Sequence, residues 1–256
     1  MTRKRVGILI VAYNAESTLA GVLRRIPEAV MAKVEQVFVI DDASQDDTYQ
    51  VGCSYKRENE LSKLTVLRNP VNLRYGGNQK RGYRYAIECG LDIVVLLHGD
   101  GQYAPEVMQQ LLTPLERDKA DLVMGSRMMI PGAALRGRMP LYKYVGNRIL
   151  TAGQNWLLGT HFSEFHSGYR AYSTAALSEV PLDRLPDTWH FDTQIILELL
   201  RRGRRVMEVP IPTYYGDEIC RVNGIPYAWR CLQSTATFAI STGRWPRVPT
   251  SRRPSQ

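Results

Sequence analysis

An uninterrupted apolar segment at residues 6–12, VGILIVA, is the feature that most limits the fold of this chain. It is rich in β-branched residues and has no polar side chain, a pattern typical of a strand covered by protein on both faces. It is too short to span a membrane, which takes about 20 apolar residues. The segment therefore predicts a buried strand of a covered sheet.

Strand-like and helix-like segments alternate after this strand. Residues 16–31 place apolar side chains at helical spacing, and polar amphipathic stretches recur later. The further expected strands are 34–40, 64–67, 93–97 and 121–124, and the expected crossover helices are 46–60, 76–89 and 105–117. This alternation predicts an α/β fold with a mostly parallel central sheet and helices on both faces.

The pattern changes after residue 130. Helices are expected near 141–158 and 190–202, a strand at 206–211, and a further, partly apolar helix whose large side chains are expected in the core. Those side chains are Trp229, Leu232, Phe238 and Ile240. We expect one domain over residues 1–243, divided at about 130 into two halves, 6–130 and 131–243. The Pro- and Arg-rich tail at 244–256 is expected to be disordered.

Net charge is +8, but the cations are concentrated near the ends of the sequence. Residues 3–5 are all cationic, and residues 244–256 contain four arginines and no acidic side chain. The nearly neutral remainder argues against a nucleic-acid partner, which needs a basic surface on the folded body. The basic ends instead fit contact with anionic lipid. The alternative is a solvated tail without a partner, since runs of charge are often only solvated. Without a secretory or membrane-spanning pattern, we expect a cytoplasmic protein, at most peripheral to the inner face of the membrane.

Polar residues collect where the predicted parallel strands end, and ligands bind at that edge in such sheets. Asp41 and Asp42 follow the second strand, where a carboxylate commonly accepts hydrogen bonds from a ribose or a base. Asp46 or Asp47 is expected to cap the next helix. Because G-x-G-x-x-G does not follow the first strand and G-K-[ST] is missing, nicotinamide and P-loop chemistry are disfavoured.

The segment HGDGQ at residues 98–102 follows an apolar strand and is the candidate metal site. In an extended segment, Asp100 and Gln102 project on the same side. They then offer oxygen ligands for Mg²⁺ or Mn²⁺, with positions left for phosphate oxygens and water. His98 is a third candidate ligand, and imidazole suits Mn²⁺ better than Mg²⁺. A glycine turn beside a buried histidine is the alternative for so short a motif.

Several short motifs follow one another in a fixed order along residues 6–215. They are ILIVAYN (8–14), IDDASQDDT (40–48), NLRYGGNQKRG (72–82), VVLLHGDGQYAP (94–105), DLVMGSR (121–127), SGYR (167–170) and EVPI (208–211). In this order they resemble the motifs of family 2 glycosyltransferases, and most of all those of the dolichol-phosphate and polyprenyl-phosphate mannose and glucose synthases. The ordered set is far more specific than any single motif.

The resemblance implies a GT-A fold that takes a nucleoside diphosphate sugar, GDP-mannose or a UDP-hexose, in the half 6–130 and an acceptor in the half 131–243. The residues implied for base and ribose are Val11, Tyr13, Ile40 and Asp42. Asp100 and Gln102 are implied for the metal and diphosphate, and Arg127 for a phosphate. The family's Asp-x-Asp is His98-Gly99-Asp100 here. This departure leaves open both the identity of the metal, Mg²⁺ or Mn²⁺, and the dependence of the reaction on a metal.

The implied reaction inverts the anomeric centre, because the acceptor oxygen attacks in line with the departing diphosphate. A polyprenyl or dolichyl phosphate is the acceptor that the resemblance implies, and its oxygen is already anionic. A glycan or secondary-metabolite hydroxyl is the alternative and needs a general base, for which Asp192, Glu164 and His166 are candidates. Arg170 is either a phosphate ligand or an ion-pair partner.

Residues 212–226 mix aromatic, acidic and cationic side chains around glycines. This composition predicts a mobile acceptor loop in which Arg221 closes onto the phosphates. The resembling synthases have a Gly-x-Ser-Lys element after such an arginine, and its lysine is missing here. A non-catalytic nucleotide-sugar-binding protein, without the metal function of Asp-x-Asp, is a second alternative.

Overall fold

The computed structural model describes residues 3–214 and 224–243. Within these residues, seven strands form one sheet. The strands are β1 (Val6–Ala12), β2 (Gln36–Asp41), β3 (Leu64–Arg68), β4 (Ile93–His98), β5 (Leu122–Ser126), β6 (Arg170–Ser173) and β7 (Val206–Pro210). Their order in the sheet is β3-β2-β1-β4-β6-β5-β7.

The α-helices in the same residues connect and cover these strands. They are α1 (Leu19–Arg24), α2 (Glu28–Lys33), α3 (Thr48–Glu58), α4 (Arg74–Glu88), α5 (Met108–Glu116), α6 (Ala133–Arg136), α7 (Leu141–Leu158), α8 (Thr174–Ser178), α9 (Phe191–Arg201) and α10 (Gly224–Ser241). Short 3₁₀ turns lie at Pro105–Val107 and Leu182–Arg184. Among the residues that the structure describes, none of the helices combines the length and the apolar character of a membrane-spanning segment.

The sheet is mostly parallel, as predicted. β1 pairs in parallel with β2 and β4, β2 pairs with β3, and β5 pairs with β7. The exception is β6, which is antiparallel to both β4 and β5 and was not predicted. Strands from both predicted halves of the chain therefore lie in one sheet.

Helices cover both faces of the sheet, which confirms the second part of the fold prediction. Successive residues of β1 point to opposite faces, as in any strand. Ile8 and Ile10 pack in one apolar cluster with Leu19 of α1. Leu9 packs in a second cluster with Tyr83 of α4. The apolar run at residues 6–12 is thus buried on both sides.

Two helix predictions need correction. The helix expected at 16–31 is two helices, α1 and α2, because Pro27 lacks the N–H that a continuous helix needs and disfavours helical backbone before it. The large side chains of α10 are not all in the core. Phe238 is buried, but Trp229 and Ile240 are mostly exposed, since α7 and α9 cover only part of this helix.

Candidate active site

A cleft of about 120 Å³ lies at the carboxyl ends of β1, β2 and β4. Its lining residues are Val11 and Ala12 of β1, Asp42 after β2, Tyr75 and Asn78 of α4, His98 of β4, Gly99 and Asp100 in the following loop, and Trp189 before α9. The structure therefore brings Asp42 and Asp100 together in one cleft, although the sequence separates them by two strands.

Asp42 is held in place by groups on the loop before α4. Its Oδ1 accepts hydrogen bonds from Asn69 Nδ2 at 2.6 Å and from the backbone N–H of Leu73 at 2.8 Å. Burial raises the pKa of Asp42, and these hydrogen bonds oppose that rise. Asp46, and not Asp47, accepts a hydrogen bond from the first backbone N–H of α3, at 3.1 Å. The acidic turn after β2 thus combines a cleft carboxylate with a helix cap.

Asp100 and Gln102 lie in a tight loop after β4. The backbone N–H of Gln102 donates to Asp100 Oδ1 at 3.1 Å, and Gly101 between them has φ +78°. Glycine adopts this left-handed conformation without steric cost. Among the described residues, no three histidine, cysteine or acidic side chains are grouped as a metal site. The segment is thus a glycine turn and not the extended chain for which Asp100 and Gln102 were predicted to project on the same side. Asp100 lines the cleft, whereas Gln102 is not among the cleft-lining residues. The carboxylate of Asp100 fits a Mg²⁺ or Mn²⁺ ion that takes its other ligands from phosphate and water, and metal ligation by Gln102 stays a prediction.

His98 packs in the aromatic wall of the cleft. Its ring makes edge contacts with Tyr75 and Tyr103, at centroid distances of 5.7 and 5.2 Å. Burial lowers the pKa of His98, which keeps the ring neutral near pH 7. Its Nε2 is buried and has no hydrogen-bond partner among the described residues. Metal ligation by His98 stays a prediction.

Gly168 of the SGYR motif closes the cleft behind His98. A Cβ at this position would lie 2.9 Å from His98 Nε2 and 3.0 Å from Tyr75 Oη. The backbone N–H of Gly168 also donates to the Tyr103 hydroxyl at 2.7 Å. The position favours glycine because both cleft side chains occupy the space that a Cβ would need.

An aromatic pair that sequence analysis missed forms one side of the cleft. The rings of Tyr75 and Trp189 lie 4.3 Å apart at an interplanar angle of 33°. Tyr75 belongs to the motif at 72–82, and Trp189 stands just before α9. The sequence does show a tryptophan just before a predicted helix, but no feature of the neighbouring residues indicates that its side chain faces the strand ends.

Asp192 lies behind this pair, in the first turn of α9. It accepts hydrogen bonds from Tyr75 Oη at 2.7 Å and from Gln79 Nε2 at 3.3 Å, and its Oδ1 lies 3.4 Å from Arg170. Arg170 is fully buried and also donates to the backbone carbonyls of Phe165, Ser167 and Asp192. A phosphate cannot reach it, so the ion-pair alternative for Arg170 is correct.

Arg127 and Glu164 form a buried ion pair beyond β5. Arg127 donates to Glu164 through its backbone N–H at 2.7 Å and through Nε at 3.0 Å, and Asn147 of α7 donates to the same carboxylate at 2.8 Å. Burial alone would raise the pKa of Glu164, but the charge of Arg127 and these hydrogen bonds outweigh it and the pKa is lowered. Glu164 is therefore ionised at neutral pH. Phosphate binding by Arg127 stays a prediction.

His166 connects this region to α10. Its Nδ1 shares a hydrogen bond with the Tyr227 hydroxyl at 2.9 Å, and its Nε2 has no partner among the described residues. Burial lowers the pKa of His166 to about 3. A neutral imidazole with so low a pKa is a weak proton acceptor at pH 7, so the geometry favours a positioning role.

The other residues expected at the nucleotide site differ in position. Val11 lines the cleft. Tyr13 follows β1 and is partly exposed. Ile40 is not among the cleft-lining residues, because its side chain is fully buried in the core and its carbonyl accepts a hydrogen bond from Asn78. Arg221 lies outside the described residues.

The cations at the start of the chain contact the protein itself. Arg3 donates to the carbonyl of Lys33 at 2.9 Å, Lys4 pairs with Asp118 at 3.0 Å, and Arg5 pairs with Glu35 at 2.7 Å. The acidic partners of Lys4 and Arg5 offset the charge that these two residues can offer to a membrane, whereas Arg3 bonds a backbone carbonyl and keeps its charge. The tail at 244–256 lies outside the described residues.

Comparison with known proteins assigns the family. The model for "Glycosyl transferase family 2" matches residues 7–180. This chain belongs to glycosyl transferase family 2. It is 32% identical over 211 residues to an undecaprenyl-phosphate mannosyltransferase of Micrococcus luteus, covering 81% of this chain and 82% of that protein. It is 28% identical over 227 residues to a UDP-N-acetylglucosamine–dolichyl-phosphate N-acetylglucosaminyltransferase of Methanococcus voltae, covering 85% and 88%.

Solved structures support the same fold. Glucosyl-3-phosphoglycerate synthase from Mycobacterium tuberculosis, crystallised with Mn²⁺, UDP and phosphoglyceric acid, superimposes with a TM-score of 0.68. The match is 17% identical and covers 92% of this chain and 78% of that one. This family 2 glycosyltransferase therefore has the GT-A fold that the sequence motifs imply.

Proposed function

We propose that this glycosyltransferase moves a hexose from a nucleoside diphosphate donor to a polyprenyl or dolichyl phosphate, with inversion at the anomeric carbon. The observation that carries the proposal is the convergence of Asp42 and Asp100 on one cleft at the strand ends. Asp42 is positioned to accept hydrogen bonds from the nucleoside. Asp100, with Gln102 of the same loop, would hold the metal, and Tyr75 and Trp189 form the side wall.

The divalent ion, Mg²⁺ or Mn²⁺, supplies charge neutralisation for the departing diphosphate when it is bound. The protein residues orient the donor, and the acceptor oxygen forms a bond to the anomeric carbon as the bond from that carbon to the diphosphate oxygen breaks. The neutral His98 ring and its tyrosine neighbours exclude water from this side of the cleft.

The state of the three candidate bases favours a phosphate acceptor over a hydroxyl. Glu164 is held ionised by Arg127, and Asp192 is bonded to Arg170 and Tyr75. His166 has a pKa of about 3. Each of them is already committed to a protein partner or too weak a base to take a proton from a hydroxyl at pH 7. A phosphate monoester is anionic at that pH and needs no base.

The test is a panel of nucleotide sugars with Mg²⁺ or Mn²⁺, scored for nucleotide release with and without a polyprenyl phosphate. We expect release with one donor to depend on the lipid. Asp100→Asn should lower turnover by about two orders of magnitude or more, because charge stabilisation of the leaving group is lost. The control is Asp183→Asn, because the side chain of Asp183 is 91% exposed and is not among the cleft-lining residues.

Two outcomes would contradict the proposal. Turnover of Asp100→Asn near that of the unchanged protein would remove the metal role of this residue. Nucleotide release that requires a soluble hydroxyl acceptor and is unaffected by polyprenyl phosphate would show that the acceptor is a hydroxyl compound and not a lipid phosphate.

A further inference from the structure

Helices α7 and α10 pack side by side on one face of the sheet. Gln154 of α7 donates to Thr235 of α10 at 3.2 Å, and Leu158 and Phe238 share the cluster on that face. A Cβ at Gly153 would lie 3.4 Å from the Leu232 side chain, so the two helices touch along this line. Their inward faces are therefore accounted for by packing.

The outward face of α7 is apolar. Its exposed large residues are Leu141, Tyr142, Val145, Ile149 and Trp156, with relative exposures of 66, 74, 44, 68 and 63%. Their spacing along the helix puts them on one side, opposite the buried Leu150, Leu157 and Leu158. A surface helix of a soluble domain normally carries polar residues at such positions.

The outward face of α10 continues this surface. Ile225, Trp229 and Ile240 are 85, 69 and 66% exposed, and Leu232 lies between them against α7. We refer to the exposed apolar residues of both helices as the α7–α10 face. A contiguous apolar surface of this kind marks an interaction site.

The charges of the two helices indicate which kind of partner this face contacts. Neither helix contains an acidic residue. Lys143 is half-buried on the side of α7 that carries Leu150 and Leu157, whereas Arg148 of α7 and Arg230 of α10 are exposed. In a symmetric contact with a second copy, these cations would face cations of the same surface. An anionic bilayer complements them, and the exposed Tyr142, Trp156 and Trp229 are of the residue types that settle at the level of lipid headgroups.

We propose that the α7–α10 face docks in the plane of an anionic membrane, with its apolar side chains among the headgroups and the first part of the acyl chains. The link to the acceptor rests on the proposed function. Asn147 of α7 bonds Glu164, the partner of Arg127, and Tyr227 of α10 bonds His166. Docking would bring a lipid phosphate to the side of the site that these residues form.

The first test is co-sedimentation of the full chain with vesicles of phosphatidylcholine and 30% phosphatidylglycerol. We expect binding that weakens with salt. The double variant Ile149→Glu/Trp229→Glu should lower the partition coefficient at least 10-fold. Met207→Glu on the edge strand β7, a position 37% exposed and outside both helices, is the matched control and should bind like the unchanged protein. Equal binding of the double variant would overturn the proposal.

A second measurement does not require charge substitutions. Brominated lipids should quench tryptophan fluorescence on docking, and Trp156→Phe/Trp229→Phe should remove most of that quenching while vesicle binding persists. Unchanged quenching in this variant would refute insertion of the face. A dimer that dissociates in Ile149→Glu/Trp229→Glu, with no vesicle binding by the unchanged protein, would assign the face to a second copy.

Failure of the docking proposal and failure of the proposed function give different results. Vesicle binding requires no nucleotide sugar, so it would persist if the chain did not transfer sugar to a lipid phosphate. In detergent micelles, Ile149→Glu/Trp229→Glu should keep lipid-dependent nucleotide release, because neither residue lies in the cleft.

Discussion

Substitution of Glu164 by Gln tests the role of the buried ion pair with Arg127. The change keeps the size of the side chain and removes its charge. The side chain of Arg127 is 13% exposed and that of Glu164 is 0% exposed, so the guanidinium would lose the negative charge of Glu164 in a place that water hardly reaches. Breaking a buried pair in this way costs about 3 kcal/mol. For a chain of this size, that corresponds to a fall in Tm of about 6–12 °C.

Glu179→Gln is the matched control, since Glu179 pairs with Arg204 on the surface, where the side chains are 44 and 30% exposed. Loss of this pair should cost about 0–1 kcal/mol. Urea unfolding followed by tryptophan fluorescence measures both variants. A loss for Glu164→Gln no larger than that for Glu179→Gln would refute the reasoning.

The pH dependence of the Glu164→Gln difference is a second part of this test. The pKa of Glu164 in the folded protein lies below its ordinary value of 4.5. Its contribution to stability is therefore complete above about pH 4.5 and is lost as the pH falls through the folded pKa. The gap between the two proteins should be constant from pH 6 to 8 and should narrow below pH 4.5. A gap that widens on acidification would contradict the lowered pKa.

Three glycine substitutions give further predictions. Gly168→Ala should displace His98 and lower kcat/KM for nucleotide release by about 10- to 100-fold, because the added Cβ would meet the ring at 2.8–2.9 Å; unchanged kinetics would contradict this arrangement of the cleft. Gly82→Ala should destabilise by about 1–3 kcal/mol in urea unfolding, since its Cβ would lie 2.4 Å from Leu9 in the core. Gly146→Ala in α7 meets no atom within 4 Å and should stabilise by about 0.5–1 kcal/mol. Equal changes in the free energy of unfolding for Gly82→Ala and Gly146→Ala would show that the space around each Cβ does not determine the effect of the substitution.

The strands of the first half could be predicted because their local pattern reflects their burial. Residues 6–12 are apolar throughout because both faces of β1 are covered, and the same holds for β4. Strand β6 has no such pattern. It begins with Arg170, which is buried only because Asp192 and three backbone carbonyls receive its donors. Those partners are fixed by the tertiary structure and leave no signal within the four residues of the strand.

The candidate site also combines residues that the sequence predicts with residues that it does not. Asp42 and Asp100 were predicted together because the rule for parallel strand ends depends on topology alone. Tyr75 and Trp189 were missed because their contact joins a helix of the first half to a loop of the second. The prediction for Trp229 and Ile240 was wrong in the opposite sense, because both were expected in the core and both are mostly exposed. Helical spacing identifies an apolar side of α10 but does not indicate what covers it.

The position of β6 has a consequence for any attempt to divide or recombine this protein. Within the described sheet, β5 and β7 join the block β3-β2-β1-β4 solely through β6, which comes later in the chain than both strands that it joins. A fragment that stops near residue 130 would lack β6, so β5 would have no strand to join it to β4. This holds even though the fragment would contain most of the sequence motifs. The family match extends to residue 180, just past this strand. Chimeras that exchange donor preference between relatives should be cut after β6.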